Sequence, residues 1–105
     1  MAGFSDGASY ALGIGIANGD VVHAVIAYSP GFAAPLTRNG SPRFFVSHGV
    51  RDRVLPIDRC SRRLVPRLRE GGYDVRYLEF PDGHEVPAGI VEDSARWLLE
   101  PGGTG

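Results

Sequence analysis

The stretch Met1-Ala2-Gly3-Phe4-Ser5-Asp6-Gly7 opens the chain and decides how the rest is read. Gly3-Phe4-Ser5-Asp6-Gly7 fits Gly-x-Ser-x-Gly, the nucleophile elbow, in which a serine sits on a sharp turn between a strand and a helix. Such a turn strains the serine backbone and crowds the positions two before and two after it. Glycine suits both positions because it lacks a Cβ. Three fixed positions in five are only moderately specific, so the rest of the chain has to supply the other parts of such a site.

Working outward, Ala8, Ala11, Leu12, Gly15 and Ile16 recur at helical spacing and predict a helix from Asp6 to about Ala17, stopped by Asn18-Gly19. Small residues on its inner face let it lie close to a sheet. Gly13 and Gly15 do not make a dinucleotide loop, because Asn18 stands where the third glycine belongs and the pair lies inside the helix. Residues 21–28 are apolar nearly throughout, as in a strand covered on both faces. A Pro-, Gly- and Asn-rich loop spans 29–42, and residues 43–48 read as a second strand ending at Gly49. After a loop over 50–56, Ile57, Cys60, Leu64 and Leu68 mark one face of a helix, with arginines mostly on the other. Pro66 is expected to bend that helix or end it early. Residues 73–80 alternate and read as a third strand, and Pro87 fits the first position of a helix to about Leu99. Strands alternating with helices predict an α/β fold with a parallel sheet. Residues 1–100 are read as one portion of a domain with no linker dividing it, and 101–105 as a flexible tail.

Composition narrows the function. A chain of 105 residues makes one domain at most, and its net charge of −1 gives no attraction to nucleic acid or an anionic membrane. The single cysteine, Cys60, excludes an internal disulfide. No apolar run is long enough for a membrane span. No basic segment followed by an apolar one marks a signal peptide, so the expected location is cytoplasmic. Arg51 to Arg69 contains seven arginines, which read as a solvated helix face in preference to a phosphate- or lipid-binding patch.

A serine hydroxyl needs a base to take its proton and a third group to orient that base. Ligands of parallel sheets bind beyond the carboxyl ends of the strands. Three loops lie at such ends, carrying Ser5, Asp52 and His84. Asp58, near a helix N-terminus, and Asp82, in a turn, compete with Asp52 but have plainer roles. His23 points from a strand and His48 ends one, so both read as structural. Cys60 reads as buried packing. Phe4, Tyr28, Phe32 and Val54 lie near strand ends and are candidates to line a pocket.

Three segments now stand together: Gly3-Phe4-Ser5-Asp6-Gly7, His48-Gly49-Val50-Arg51-Asp52-Arg53-Val54-Leu55-Pro56 and Gly83-His84. They resemble the motifs of the phospholipase/carboxylesterase family of α/β-hydrolases, which includes bacterial carboxylesterases and acyl-protein thioesterases. Its pattern runs G-F-S-x-G, H-G-x-x-D-x-x-V-P and G-H. Leu55 replaces the usual valine, and Asp6 stands where glutamine is common. The resemblance covers essentially this whole chain but only the C-terminal half of the family's domain. It implies the C-terminal part of an α/β-hydrolase fold, about three parallel strands with flanking helices, following the stub of an earlier strand at residues 1–2.

By that resemblance Ser5 is the nucleophile, His84 the general base and acid, and Asp52 the orienting carboxylate. The Asp6 backbone N–H is one oxyanion donor, while its carboxylate is favoured by the helix dipole. The substrate is a small ester or thioester hydrolysed through an acyl-enzyme, with no metal or cofactor. The second oxyanion donor of the family comes from an earlier loop outside this sequence. As a fragment, the chain is expected to show little activity, poor solubility and self-association through strand 21–28 as a bare edge. Two further readings stand beside this one: a serine peptidase of the prolyl-oligopeptidase type, and a non-catalytic remnant or interaction module.

Overall fold

Seven elements follow in order: β1 (Ala2–Phe4), α1 (Asp6–Ala17), β2 (Ala24–Tyr28), β3 (Arg43–Gly49), α2 (Ser61–Glu70), β4 (Val75–Phe80) and α3 (Ala88–Leu99). They come from a computed structural model, which describes residues 1–19, 21–33 and 39–100. The four strands form one parallel sheet in the order β1-β2-β3-β4. The α/β class and parallel pairing expected from the sequence are what the structure has.

The inner strands β2 and β3 are apolar on both sides because helices cover both sides. Val25, Ala27, Phe44, Val46 and Val75 pack with Leu12 of α1 and Leu64 and Leu68 of α2. The alternate positions Ile26, Phe45 and Phe80 pack with Ile90 and Trp97 of α3. Phe44, Phe45, Val25 and Val46 are fully buried, each contributing about 1.5–3 kcal/mol. The Arg43 guanidinium lies 4.5 Å over the Trp97 ring, and the Tyr28 and Ser94 hydroxyls are hydrogen-bonded, tying β2 to α3.

Several boundaries differ from the sequence reading, for local reasons. Strand 21–28 starts only at Ala24, because the Val21 and Val22 amides both bond to the Asn18 carbonyl and round off the end of α1. Strand 73–80 starts at Val75, since the Tyr73 amide closes α2 by donating to Leu68. The helix expected from Ile57 begins at Ser61, after turns in which Arg59 and Cys60 donate to Pro56 and Ile57. Pro66 does not end it early. It lies on the exposed side, where water can satisfy the Arg62 carbonyl that loses its partner, and α2 continues to Glu70. Pro87 caps α3 from just outside it.

The expectation of a bare edge at 21–28 is also corrected. β1 pairs with β2 over Ala2↔Ile26, Gly3↔Ala27 and Phe4↔Tyr28, so β2 is an interior strand. The free edge on that side belongs to the three residues of β1. Part of the loop expected over 29–42, and the tail expected at 101–105, fall outside the described residues.

Candidate active site

Ser5 follows β1 directly. Its amide donates to the Tyr28 carbonyl at 2.9 Å, and its carbonyl accepts from Ala8 and Ser9, which starts α1. Between these anchors its backbone is forced to φ 59°, ψ −122°, a region that costs an L-residue about 1–3 kcal/mol. The fit requires glycine at position 3, where a Cβ would stand 2.3 Å from the Gly7 carbonyl oxygen. A Cβ on Gly7 meets nothing within 4 Å, so the steric demand expected of both elbow glycines falls on Gly3 alone. The Asp6 and Gly7 amides, in the first turn of α1, have no hydrogen-bond partner among the described residues.

His84 lies in the loop after β4. Its Nε2 is 2.8 Å from Ser5 Oγ and its Nδ1 is 2.6 Å from Asp52 Oδ2. A carboxylate only accepts, so His84 carries its proton on Nδ1 when neutral, and Nε2 turns a bare lone pair to the Ser5 hydroxyl. The Phe4 ring lies 4.8 Å from the His84 ring and covers one face.

Asp52 and His84 meet because β3 and β4 leave the sheet side by side. The Val50 and Arg51 amides donate to the Phe80 and Asp82 carbonyls, stitching the two loops together. Gly49 makes the approach possible, since a Cβ there would stand 2.2 Å from the Gly83 oxygen and 2.3 Å from the Asp82 oxygen. The Asp52 side chain is fully buried. Its Oδ1 accepts from the Val54 amide at 2.9 Å and the Leu55 amide at 2.7 Å. Burial works against its charge, but the Leu55 amide, His84 and the Val54 amide together outweigh that and hold its carboxyl below the ordinary range.

The competing residues lie elsewhere. Asp58 is exposed and paired with Arg62, and the Asp82 backbone carbonyl accepts from Arg51. His23 is exposed and outside β2. Cys60 is buried. Val54 and Phe32 are exposed, whereas Tyr28 is half-buried against the α3-side core with its hydroxyl on Ser94. Phe32 also lines a cleft of about 250 Å³ between α1 and α2, together with Arg59, Arg63 and Arg67 and without Ser5, Asp52 or His84. Among the described residues, no three His, Cys, Asp or Glu side chains are grouped to hold a metal ion. No described helix is long and apolar enough to cross a membrane.

Two features of the site carry no motif, and a third, inside the His-Gly motif, reads from the sequence as structural only. Ser9 Oγ accepts the Gly31 and Phe32 amides at 2.9 and 3.1 Å, holding the loop after β2 against α1. Ser29 adopts φ 52° with its side chain buried at the end of β2. His48 is completely buried beside Asp52; its position next to Gly49 in the His-Gly pair was the available signal.

A parallel sheet with helices on both faces, and a serine, a buried carboxylate and a histidine on loops at its carboxyl ends, is the fold of the α/β-hydrolases. Among solved structures the chain is similar to the crystal structure of esterase PE8, with a TM-score of 0.80 and 28% identity, covering 92% of this chain and 47% of that one. A protein of unknown function from Agrobacterium tumefaciens gives a TM-score of 0.74 and 25% identity, with 92% and 48% covered. The Bacillus cereus carboxylesterase shares the fold, at a TM-score of 0.77 and 19% identity over 91% of this chain and 46% of that one. The chain thus spans about half the length of each structure. No protein-family profile matches it, and no curated protein matches it.

Proposed function

We propose that this chain carries the reacting half of a serine hydrolase of the carboxylesterase, phospholipase and thioesterase kind, acting on small esters or thioesters. The observation that carries the reading is the unbroken line of hydrogen bonds from Ser5 Oγ through His84 to the buried Asp52, starting at a serine with a positive φ. Esterase PE8, similar over nearly all of this chain, supports the reaction class.

Ser5 Oγ attacks the acyl carbon while its proton passes to His84 Nε2. Asp52 stabilises the imidazolium so formed and keeps its ring in place. The carbonyl oxygen becomes an oxyanion and takes the Asp6 N–H. Collapse breaks the bond to the alcohol or thiol, which leaves with the proton from His84, and the acyl group remains on Ser5. Water then attacks the acyl-serine, gives a proton to His84, and the acid is released as Ser5 regains its hydrogen.

A fluorophosphonate tests this at the level of one turnover, because it phosphonylates only an activated serine. Mass spectrometry of the labelled chain is expected to place the adduct on Ser5. His84→Ala is expected to lose the adduct, and the slight turnover expected of this chain should favour p-nitrophenyl esters over peptide amides. An adduct on another serine, or labelling of Ser5 indifferent to His84→Ala, would refute the proposal.

A further inference from the structure

His48, near the end of β3, has no exposed surface, and every polar atom of its ring is engaged. Nδ1 is 2.6 Å from Ser61 Oγ, at the start of α2. Nε2 is 2.7 Å from the Leu55 carbonyl oxygen and 3.3 Å from Asp52 Oδ2. Both groups facing Nε2 are acceptors only. A bare Nε2 would place three lone-pair atoms together in a site that water does not reach. The proton therefore sits on Nε2, and Nδ1 accepts from the Ser61 hydroxyl. Of the two neutral tautomers, only this one satisfies every partner.

We infer that His48 is a positioning residue for the reaction proposed above, its Nε2–H pinning the turn that carries Asp52 and so fixing which nitrogen of His84 is bare. This inference rests on that reading of Ser5, His84 and Asp52. Leu55 is the link: its amide donates to Asp52 Oδ1 at 2.7 Å, and its carbonyl accepts from His48 at 2.7 Å. Asp52 Oδ2 lies between two imidazoles, His84 at 2.6 Å and His48 at 3.3 Å. Turning the carboxylate would break its bonds to the Val54 and Leu55 amides and to the His84 ring at once. With Oδ2 held towards His84, that ring keeps its proton on Nδ1 and its lone pair towards Ser5. Ser61 anchors the arrangement from the other side, so the start of α2 supports the site without touching substrate.

The charged groups around His48 pull both ways, its two carboxylate neighbours favouring the cation, and burial decides for the neutral ring. Asp52 and His84 face it from the loops, Cys60 lies at the start of α2, and Glu79 is its register partner on β4. Glu79 is itself engaged by Arg62 at 2.9 Å. Burial lowers the pKa of His48, against opposition from the Leu55 carbonyl and Asp52.

The test compares two amides that imitate one ring nitrogen each. The nitrogen of Gln reaches the place of Nε2, whereas Asn reaches only the place of Nδ1. Long-range ¹⁵N–¹H NMR of the full chain at pH 8 reads the tautomer of each histidine, and the fluorophosphonate rate reads Ser5. The wild type is expected to show His48 protonated on Nε2 and His84 on Nδ1. His48→Asn is expected to move His84 towards the Nε2–H tautomer and slow labelling of Ser5 at least tenfold. His48→Gln is expected to keep the His84 tautomer and stay within threefold of the wild-type rate. Equal behaviour of the two variants would overturn the inference, as would a wild-type His48 protonated on Nδ1, a result that needs no variant to fold. A wild-type His84 protonated on Nε2 would instead sink the reading of Ser5 and His84 on which the inference rests.

Discussion

Asp52→Asn keeps the shape of the buried side chain and turns one of its two oxygens into a donor. The carboxylate accepts from the Val54 and Leu55 amides on Oδ1 and from His84 on Oδ2, with His48 Nε2 3.3 Å from Oδ2. If the new NH₂ faces the loop, it meets two backbone N–H groups that cannot change. If it faces the rings, it meets His48 Nε2–H, already committed to the Leu55 carbonyl, and His84. The second arrangement costs less, because His84 alone can shift its proton to Nε2 and offer a bare Nδ1. One unsatisfied buried donor remains, worth about 1–3 kcal/mol. A domain of this size loses about 4–8 °C of Tm for each kcal/mol. The shift also takes the lone pair away from Ser5, and the same exchange in a serine triad lowers kcat about 10⁴-fold. The sign with pH follows from the folded carboxyl titrating below its ordinary value. As pH falls through about 4, the unfolded chain takes up the proton first, so the stability from Asp52 is complete above that value and lost below it. Urea unfolding at pH 7 and pH 2, with fluorophosphonate labelling at pH 8, checks both parts. An Asn variant that labels at the wild-type rate would refute the catalytic argument. A gap in urea midpoint that stays constant between the two pH values would refute the electrostatic one.

Other substitutions separate the remaining contributions. Gly3→Ala is expected to destabilise the chain, since its Cβ would lie 2.3 Å from the Gly7 oxygen, whereas Gly7→Ala has open space and should gain about 0.5–1 kcal/mol in α1; urea midpoints decide. Gly49→Ala pushes the His84 loop off β3 and should cost about 1–3 kcal/mol as overpacking, with His84 NMR signals shifted more than those of α1. The folded His48 resists protonation, so stability is full above the unfolded value of 6.5 and falls as pH drops below it. His48→Gln should remove that part of the pH dependence in urea titrations from pH 8 to 5. Phe45→Ala empties a fully buried site next to Trp97 and should cost about 3–5 kcal/mol by thermal unfolding.

The alternation of apolar strands with helices was legible because β2 and β3 are covered on both faces and each helix on one. Boundaries were less so, because they are set by hydrogen bonds that the pattern does not record. Val21 and Val22 look like strand residues, yet their amides serve the end of α1. Pro66 looks like a stop, yet an exposed position lets the helix run on. The residues singled out as a candidate constellation, Ser5, Asp52 and His84, are ones that the fold places within hydrogen-bond reach. Their loops were identifiable because parallel topology sends all of them to the same end of the sheet. The bond from Tyr28 to Ser94 was not legible, because a residue at a strand end can turn to either layer, and Ser94 lies on a helix far along the chain.

What the sequence could not express is how unevenly the strain is distributed. Ser5 and Ser29, both with positive φ, end adjacent strands, and the buried hydroxyls of Ser29 and Ser47 have no partner among the described residues. Such features persist only where the surroundings over-determine them. Here the surroundings are identifiable: the Ser5 amide on Tyr28, the Ser29 amide on Ser47, and Ala8 and Leu12 of α1 fully buried in the core beside β2. Each strained residue is thus tied to the next strand along. The carboxyl ends of β1, β2 and β3 form one braced row, with His48 and Asp52 locked behind it by bonds of their own. The row fixes the backbone of Ser5, and the Val50 and Arg51 amides fix the neighbouring loop of His84 against β3, so that Ser5 Oγ stands 2.8 Å from His84 Nε2 with both backbones held by bonds of their own.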